Sequence, residues 1–247
     1  MIIRFVHGKN SDDGLAAAER ALALEANLAE AHAVKARILA QHGRHDEAAA
    51  EIEIALRLDR ESYEVNRAVA YLSFRQRRLD EAIRYYEKAM ALMETDLNSG
   101  SMLLTCYTAI RDSQATLRIA RITLSRVEKM MVQDPNNAAA MGSGAIALAA
   151  LGEDERARDW INRALLIDPD NMNARYNFAC SLTSFAKNRN VDVALELLRP
   201  VFETLAAGFL SHAKVDPDLD PLRDDPRFKA MVTAAETRLG SASRPAG

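Results

Sequence analysis

Side chains of the types that form catalytic or metal sites are scattered in this chain of 247 residues. His42 and His45 could lie on one side of a turn and bind a metal ion, but no cysteine or carboxylate cluster joins them at the spacing of a structural zinc site. A surface turn is the simpler interpretation of this pair. Asp224 and Asp225 precede a predicted helix, where carboxylates interact favourably with the helix dipole, so general acid–base chemistry is not needed to explain them.

The cysteines and a glycine-rich stretch also favour a structural role. Cys106 and Cys180 are predicted to lie on helices of different repeats, which argues against a disulfide bond and favours buried thiols in a reducing, cytoplasmic compartment. Gly142 and Gly144 lie in an alanine-rich helical pattern, so they predict close helix packing instead of a phosphate-binding loop. Because no combination of nucleophile, base and orienting group occurs, the sequence predicts a chain without enzymatic activity, cofactor or metal.

The elements that would position any site are helices that repeat. A small residue recurs with separations of 34, 34, 41 and 34 residues at Ala36, Ala70, Leu104, Ala145 and Ala179. A second ladder runs parallel to it, at Ala48, Ala82, Thr123, Ala157 and Ala194. Small residues at such a period let two helices approach closely once per repeat, which predicts an all-α solenoid of antiparallel helix pairs. The few glycines and prolines, 10 and 7, agree with an all-helical chain.

The period also predicts the organisation of the chain. Residues 1–26 are predicted to be a truncated leading half-repeat, with a helix over Leu15–Glu25. Five helix pairs are predicted at 27–62, 63–96, 97–137, 138–171 and 172–205. A C-terminal cap over 206–240 follows, and residues 241–247 are predicted to be a disordered tail. Asp225 followed by Pro226 predicts the start of a last helix over Arg227–Leu239, which Phe228, Met231 and Val232 would seal against the stack.

Three local features are predicted within the repeats. Asp46 and Asp80 are expected to cap the second helices of their repeats. The seven surplus residues of the third repeat equal about two helical turns, so two longer helices are expected there, Asn98–Ile110 and Gln114–Gln133. The fifth repeat is expected to place its three surplus residues in the turn Lys187–Asn190.

These repeats resemble tetratricopeptide repeats over about residues 12–202. The small, apolar and proline positions of that pattern are all filled in the fourth repeat, by Ala145, Leu148, Ala157, Ile161, Ala164 and Pro169. The resemblance implies a right-handed superhelix whose first helices line a concave groove for a protein or peptide partner. The chaperone-binding clamp of one subgroup is absent, because Ala33, Arg37 and Ala68 stand at the positions that it requires.

The groove positions of this family, mapped onto this chain, predict the partner-binding residues. They are Arg37, Arg67, Tyr71, Phe74, Arg75, Met102, Thr105, Tyr176 and Asn177. Arginine and tyrosine often anchor interfaces, and arginine can bind a carboxylate through two hydrogen bonds, so an acidic or aromatic-containing peptide is the expected ligand. A solvated face with arginine stems covering helix surface is the alternative. The net charge of −3 gives no case for nucleic acid, and no apolar run approaches the ~20 residues that span a membrane.

The segment from Asp218 to Phe228 carries a second resemblance. It is similar to the end of C-terminal repeat regions in bacterial class III adenylate/guanylate cyclases with a TolB-like middle portion, and in eukaryotic-like Ser/Thr kinases. The resemblance implies the regulatory end of a signalling protein whose catalytic domain lies upstream. A standalone cytoplasmic adaptor is one alternative. The other is a self-association domain that dimerises through the terminal helices left exposed by the missing first helix.

Overall fold

The computed structural model describes residues 10–184 and 191–242. Its helices are α1 (Asn10–Leu24), α2 (Ala29–Gln41), α3 (His45–Leu58), α4 (Tyr63–Arg75), α5 (Leu79–Leu92), α6 (Leu97–Ala109), α7 (Ser113–Gln133), α8 (Ala138–Ala150), α9 (Asp154–Ile167), α10 (Met172–Ser184), α11 (Val191–Thr204), α12 (Ala207–Ala213) and α13 (Pro226–Ala242). A 3-10 helix, Pro217–Leu222, lies between the last two. Because the described ranges contain no strand, the predicted all-α class is confirmed.

The helices form two compact units. The N-terminal unit contains the described residues up to Met93 together with Ala206–Val215, and the C-terminal unit contains Glu94–Leu205 and the described residues from Asp216 onwards. Within the N-terminal unit α2 packs on α3 and α4 on α5, and within the C-terminal unit α6 packs on α7, α8 on α9 and α10 on α11. Helices adjacent in sequence therefore pair, as the solenoid prediction requires.

The small-residue ladders are the buried contacts of these pairs. Ala36, Ala70, Leu104, Ala145 and Ala179 are all 0% exposed. The members of the second ladder, one helix later in each repeat, are also buried. Small side chains at most of these buried positions let the paired helices approach closely.

In the first four helix pairs, the turn between the helices contains a left-handed residue. Gly43 and Gly152 take φ values of 77° and 80°, and Arg77 and Arg111 take 55° and 61° at the equivalent places. A residue with a Cβ pays roughly 1–2 kcal/mol for this conformation, so the turn geometry is imposed by the packing of the flanking helices.

The predicted caps Asp46 and Asp80 are wrong. The N-cap residues are Arg44 and Arg78, and both aspartates lie in the first turn of α3 and α5. The amides of Arg44 and Arg78 bond back to the preceding helices, which closes the turn early and lets the next helix begin before the aspartate. The carboxylates then act on the positive end of the helix instead of capping it.

In the third repeat, one of the two helices that were expected to be longer has the ordinary length. α6 has 13 residues, like the first helices of the other four helix pairs, and α7 has 21, against 14 in the other second helices. The expectation of two longer helices is therefore wrong for α6. Asp112 ends the turn and accepts a hydrogen bond from the amide of Ala115, which fixes the start of α7 and places the surplus after it.

The first and the last helix, α1 and α13, are both longer than predicted. α1 begins at Asn10, earlier than the predicted Leu15. α13 runs from Pro226 to Ala242 and so includes the first two residues of the predicted tail. Phe228 is buried against Phe202 with ring centroids 5.5 Å apart, while Met231 and Val232 are half-buried. The turn Lys187–Asn190 and residues 243–247 lie outside the described residues.

Gly144 in α8 marks a close approach of α7, α8 and α9. A Cβ built there would overlap the ring of Trp160 and lie 3.0 Å from Cγ1 of Val127. A Cβ at Gly142, two residues earlier, would meet its nearest atom, on Ala174, only at 3.9 Å. The close-packing role predicted for this stretch therefore rests on Gly144.

We expect Gly144→Ala to destabilise the chain by about 1–3 kcal/mol, because Trp160 has to move from its packed position. Gly142→Ala is the matched control. It should stabilise by about 0.4–1 kcal/mol, since it removes backbone freedom from the unfolded chain without a clash. Urea unfolding of both variants measures the two effects, and equal destabilisation would contradict this account.

Candidate functional site

The first helices α2 and α4 of the N-terminal unit present a surface that the helix α12 of the same unit covers. We call it the N-terminal surface. Gly208 of α12 packs against Gln41 at the end of α2, where a Cβ on the glycine would lie 2.9 Å from the Cβ of Gln41. Leu210 and Ala213 of α12 are buried. A polypeptide segment thus already lies on the face for which a partner was predicted.

Aromatic rings form the centre of this contact. The imidazole of His212 stacks on Phe74 with centroids 5.3 Å apart and an interplanar angle of 28°. It also lies parallel to Tyr71, at 6.5 Å and 10°. Phe209 approaches the same imidazole at 5.9 Å. Offset ring pairs in this range contribute roughly 0.5–1.5 kcal/mol beyond their buried area.

Arg75 joins the rings to the backbone of the covering segment. Its Nη1 donates to the Tyr71 hydroxyl at 3.1 Å and to the carbonyl of Gly208 at 3.4 Å. Its guanidinium lies 5.8 Å from the centroid of the Tyr71 ring, in the range of a cation–π contact. Arg77 donates through Nε to the carbonyl of Val215 at 3.1 Å. Two arginines of the N-terminal unit therefore hold the main chain of this segment, one within α12 and one just after it.

Two further arginines on this surface share one carboxylate. Nη1 of Arg37 lies 3.7 Å, and Nη1 of Arg67 lies 3.6 Å, from Oε2 of Glu64. Arg37 is buried, and burial, followed by the charge of Arg67, lowers the pKa of its guanidinium. Basic and aromatic side chains therefore lie side by side on this surface.

A cleft of about 290 Å³ opens beside α12 in the same unit. Its lining includes the cationic or titratable side chains of His45, Arg75 and Lys214, together with apolar Ala48, Leu72 and Val215. No carboxylate lines it among the described residues. An anionic group would find complementary charge there.

In the C-terminal unit the 3-10 helix Pro217–Leu222 packs on α6 and α10. We call the face that it covers the C-terminal surface. Two carboxyl groups anchor the segment: Asp216 accepts from the hydroxyl of Tyr176 at 2.6 Å, and Asp218 accepts from Thr105 at 2.6 Å and from Ser184 at 2.9 Å.

The segment is fixed at its backbone and its apolar side chains as well. The Thr183 hydroxyl donates to the carbonyl of Asp218 at 2.7 Å. Leu219 and Leu222 of the 3-10 helix are 0% exposed. This docking therefore combines full apolar burial with satisfied polar groups, which is the arrangement that stabilises a buried polar network.

Burial of the two carboxyls changes their proton affinity and that of their neighbours. Burial, and then the charge of Asp216, raises the pKa of Asp218 to about 8, although the Thr105 and Ser184 hydroxyls oppose the shift. Burial, and then the same aspartates, raises the pKa values of Cys106 and Cys180. The thiols are free, buried and held in the protonated form, as the sequence predicted for structural cysteines.

Cys180, Asp216 and Asp218 form a grouping that the sequence analysis missed. Their potential ligand atoms lie within 4.8 Å of one another, and all three are buried. The two carboxyls are already hydrogen-bonded to hydroxyl groups of the protein, so the cluster is explained by docking of the 3-10 helix. The two aspartates lie far from Cys180 in sequence and outside the repeats, so no spacing rule could reveal them. His42 and His45 are exposed and join no such group among the described residues.

The nine predicted partner-binding residues divide by surface. Arg37, Arg67, Tyr71, Phe74 and Arg75 come together on the N-terminal surface. Thr105 and Tyr176 come together on the C-terminal surface through the two aspartates. Met102 and Asn177 are half-buried side chains on α6 and α10. Segments of the chain itself contact five of the nine, Tyr71, Phe74, Arg75, Thr105 and Tyr176, and the role of the nine in partner binding stays a prediction.

Comparison with known proteins supports the repeat assignment. The model of the tetratricopeptide repeat family matches residues 5–59 and 34–92. No curated protein sequence matches the chain significantly. Among the described residues, no helix is both long and apolar enough to cross a lipid bilayer.

Several solved structures are similar to this chain. A chain of the APC/C hetero-tetramer Cut9–Hcn1 superposes with a TM-score of 0.53 at 16% identity, over 92% of this chain and 40% of that one. YrrB, described as a TPR protein with an unusual peptide-binding site, gives 0.45 at 19% identity over 90% and 98%. MamA gives 0.44 at 18% identity over 65% and 84%. The first of these likenesses supports the helical solenoid fold.

The raised pKa of Asp218 predicts a pH dependence of stability. With a pKa of about 8 in the folded chain and 3.8 as the ordinary value, the native state holds a proton that the unfolded state has released. Stability therefore falls as pH rises between these values, by at most about 1.4 kcal/mol per pH unit from this group. Asp218→Asn should flatten that fall.

Urea unfolding at about pH 5.5 and about pH 8.5 measures this slope. Asp224→Asn is the matched control in the same segment, because the Asp224 side chain is fully exposed and makes only a surface ion pair with Lys229 at 3.3 Å. It should leave the slope as in the wild type. An unchanged slope in Asp218→Asn would show that this carboxyl is ionised in the folded chain.

Proposed function

We propose that this chain is a tetratricopeptide repeat protein that binds polypeptide segments of partner proteins on its first-helix surfaces, with no catalytic activity of its own. One observation carries the proposal. Five of the nine side chains predicted from the family's groove positions, Tyr71, Phe74, Arg75, Thr105 and Tyr176, contact a polypeptide segment of the chain itself, α12 in one unit and the segment of the 3-10 helix in the other.

The two surfaces recognise peptide features of different kinds. The N-terminal surface offers Arg75 to a main-chain carbonyl and the rings of Tyr71 and Phe74 to another ring. The C-terminal surface offers the hydroxyls of Thr105 and Tyr176 to carboxyl groups. Main-chain and ring contacts of this type bind peptides without requiring one sequence, so they suit a scaffold protein.

The partner is expected to contact the N-terminal surface, which presents several arginines. Arg37 and Arg67 share the Glu64 carboxylate, and Arg75 lines an open cleft. A carboxylate of a partner could pair with arginine through charge-assisted hydrogen bonds, which are stronger than neutral ones. An acidic, aromatic-containing segment is therefore the ligand class that we propose.

Selection of peptides from a random phage library on the full chain tests this function. We expect the selected peptides to be rich in carboxylates and aromatic residues and to lose at least roughly tenfold in affinity on Arg67→Ala, because one charged hydrogen bond is worth about 1.5–3 kcal/mol. Arg57→Ala, at an exposed position of α3 in the same unit, is the control and should bind as the wild type does. Selected peptides that bind Arg67→Ala and Arg75→Ala with unchanged affinity would contradict the proposed site.

Two finer roles from the sequence analysis remain predictions. The Asp-Pro-rich segment favours the regulatory end of a bacterial signalling protein such as an adenylate cyclase, and reading the gene upstream of Met1 decides this. Self-association is the alternative that competes directly with partner binding. Light scattering over a range of concentrations tests it, and a mass that rises with concentration would favour dimerisation over the scaffold role.

A further inference from the structure

The two covering segments are held to very different extents. The 3-10 helix buries Leu219 and Leu222 completely and fixes two aspartates through side-chain hydroxyls. α12 has seven residues, of which only Leu210 and Ala213 are buried. Its contacts include ring stacking by His212 and a hydrogen bond from Arg75 to the carbonyl of Gly208. The helix α12 is thus the less deeply buried member of the pair.

The charge of α12 is also poorly matched to the surface below it. Residues 206–215 contain no carboxylate, and their one charged side chain is the cation Lys214. Lys214 lines the same cleft as Arg75 and His45. The surface also carries Arg37 and Arg67. The segment contributes a ring that stacks on the aromatic side chains of this surface, but it contributes no carboxylate to the arginines.

We propose that α12 is a displaceable internal ligand of the N-terminal surface, and that the partner segment which replaces it is a short helix with an aromatic ring flanked by carboxylates. This inference rests on the proposed function and specifies its partner. The ring takes the place of the His212 imidazole between Tyr71 and Phe74. A carboxylate enters the cleft in place of Lys214 and pairs with Arg75.

Gly208 allows α12 to be released without altering the surface. Its Cα lies so close to α2 that a Cβ would meet Gln41 at 2.9 Å and 3.1 Å. Gly208→Leu therefore pushes α12 away from α2 while Tyr71, Phe74 and Arg75 stay unchanged. Ala207→Leu is the matched control, because Ala207 is the exposed neighbour in the same helix.

The test titrates two fluorescent synthetic peptides into the full chain. One has the sequence of residues 206–215, and the other carries Lys214→Glu in that sequence. We expect the first peptide to bind Gly208→Leu at least roughly tenfold more tightly than it binds the wild type or Ala207→Leu, because its site is vacated. The second peptide should bind Gly208→Leu more tightly than the first, and salt should reduce the difference.

Equal affinity of the first peptide for wild type and Gly208→Leu would overturn the inference, and so would no binding to Gly208→Leu. If circular dichroism shows that Gly208→Leu is unfolded, His212→Ala releases the ring contact instead, and the same comparison applies. Failure here leaves the proposed function intact when phage-selected peptides still depend on Arg67. If no selected peptide depends on Arg67, the proposed function itself fails.

Discussion

The close approach of paired helices at small residues is the constraint on which the rest of the structure depends. Ala36, Ala70 and Ala145 are completely buried because a neighbouring helix passes over each of them. Small side chains at most of these positions let the helices approach closely, so the interval between them sets the interval between helices. That spacing brings side chains of successive first helices, such as Arg37 of α2 and Arg67 of α4, onto one face.

Docking of the 3-10 helix shows that a face lined by hydroxyl groups can bind buried carboxyl groups. An ionised carboxylate is costly to bury, and two within one cluster are costlier still. The hydroxyls of Thr105, Tyr176 and Ser184 donate hydrogen bonds to the carboxyl oxygens of Asp216 and Asp218. Asp218 also avoids the cost of a buried charge, because its raised pKa keeps it protonated near neutral pH. The same chemistry would accept acidic side chains of another chain only if they could be protonated or equally well hydrogen-bonded.

The repeats were predictable because their signal is periodic and local. Ladder residues such as Ala82 and Ala157 recur at a regular interval, and the family pattern then predicted the face on which Arg75 and Thr105 lie. The predicted N-caps Asp46 and Asp80 were wrong because backbone hydrogen bonds from the amides of Arg44 and Arg78 close the turn. Side-chain types give no signal of such bonds. The predicted bounds of α6, Asn98–Ile110, lie within one residue of the observed helix, but the expectation that both helices would be longer was wrong, because a surplus of seven residues can be placed in either helix without losing register.

The return of residues 206–222 onto the first helices could not be predicted from the sequence. Asp216, Asp218 and His212 meet partners more than thirty residues away, and no repeat or spacing links them to those partners. An Asp-Pro-rich segment predicts a helix start or a turn, but it does not indicate which surface the segment packs on. The structure was needed to show that the predicted ligand surface and the predicted cap meet.

The position of α12 in the chain has a further consequence. The residues before Ala206 and after Val215 both belong to the C-terminal unit. A released α12 is therefore a loop closed at both ends, unlike a chain terminus that swings free. Loop closure limits the conformational entropy gained on release, and this keeps the released segment close enough to rebind as soon as a competitor dissociates.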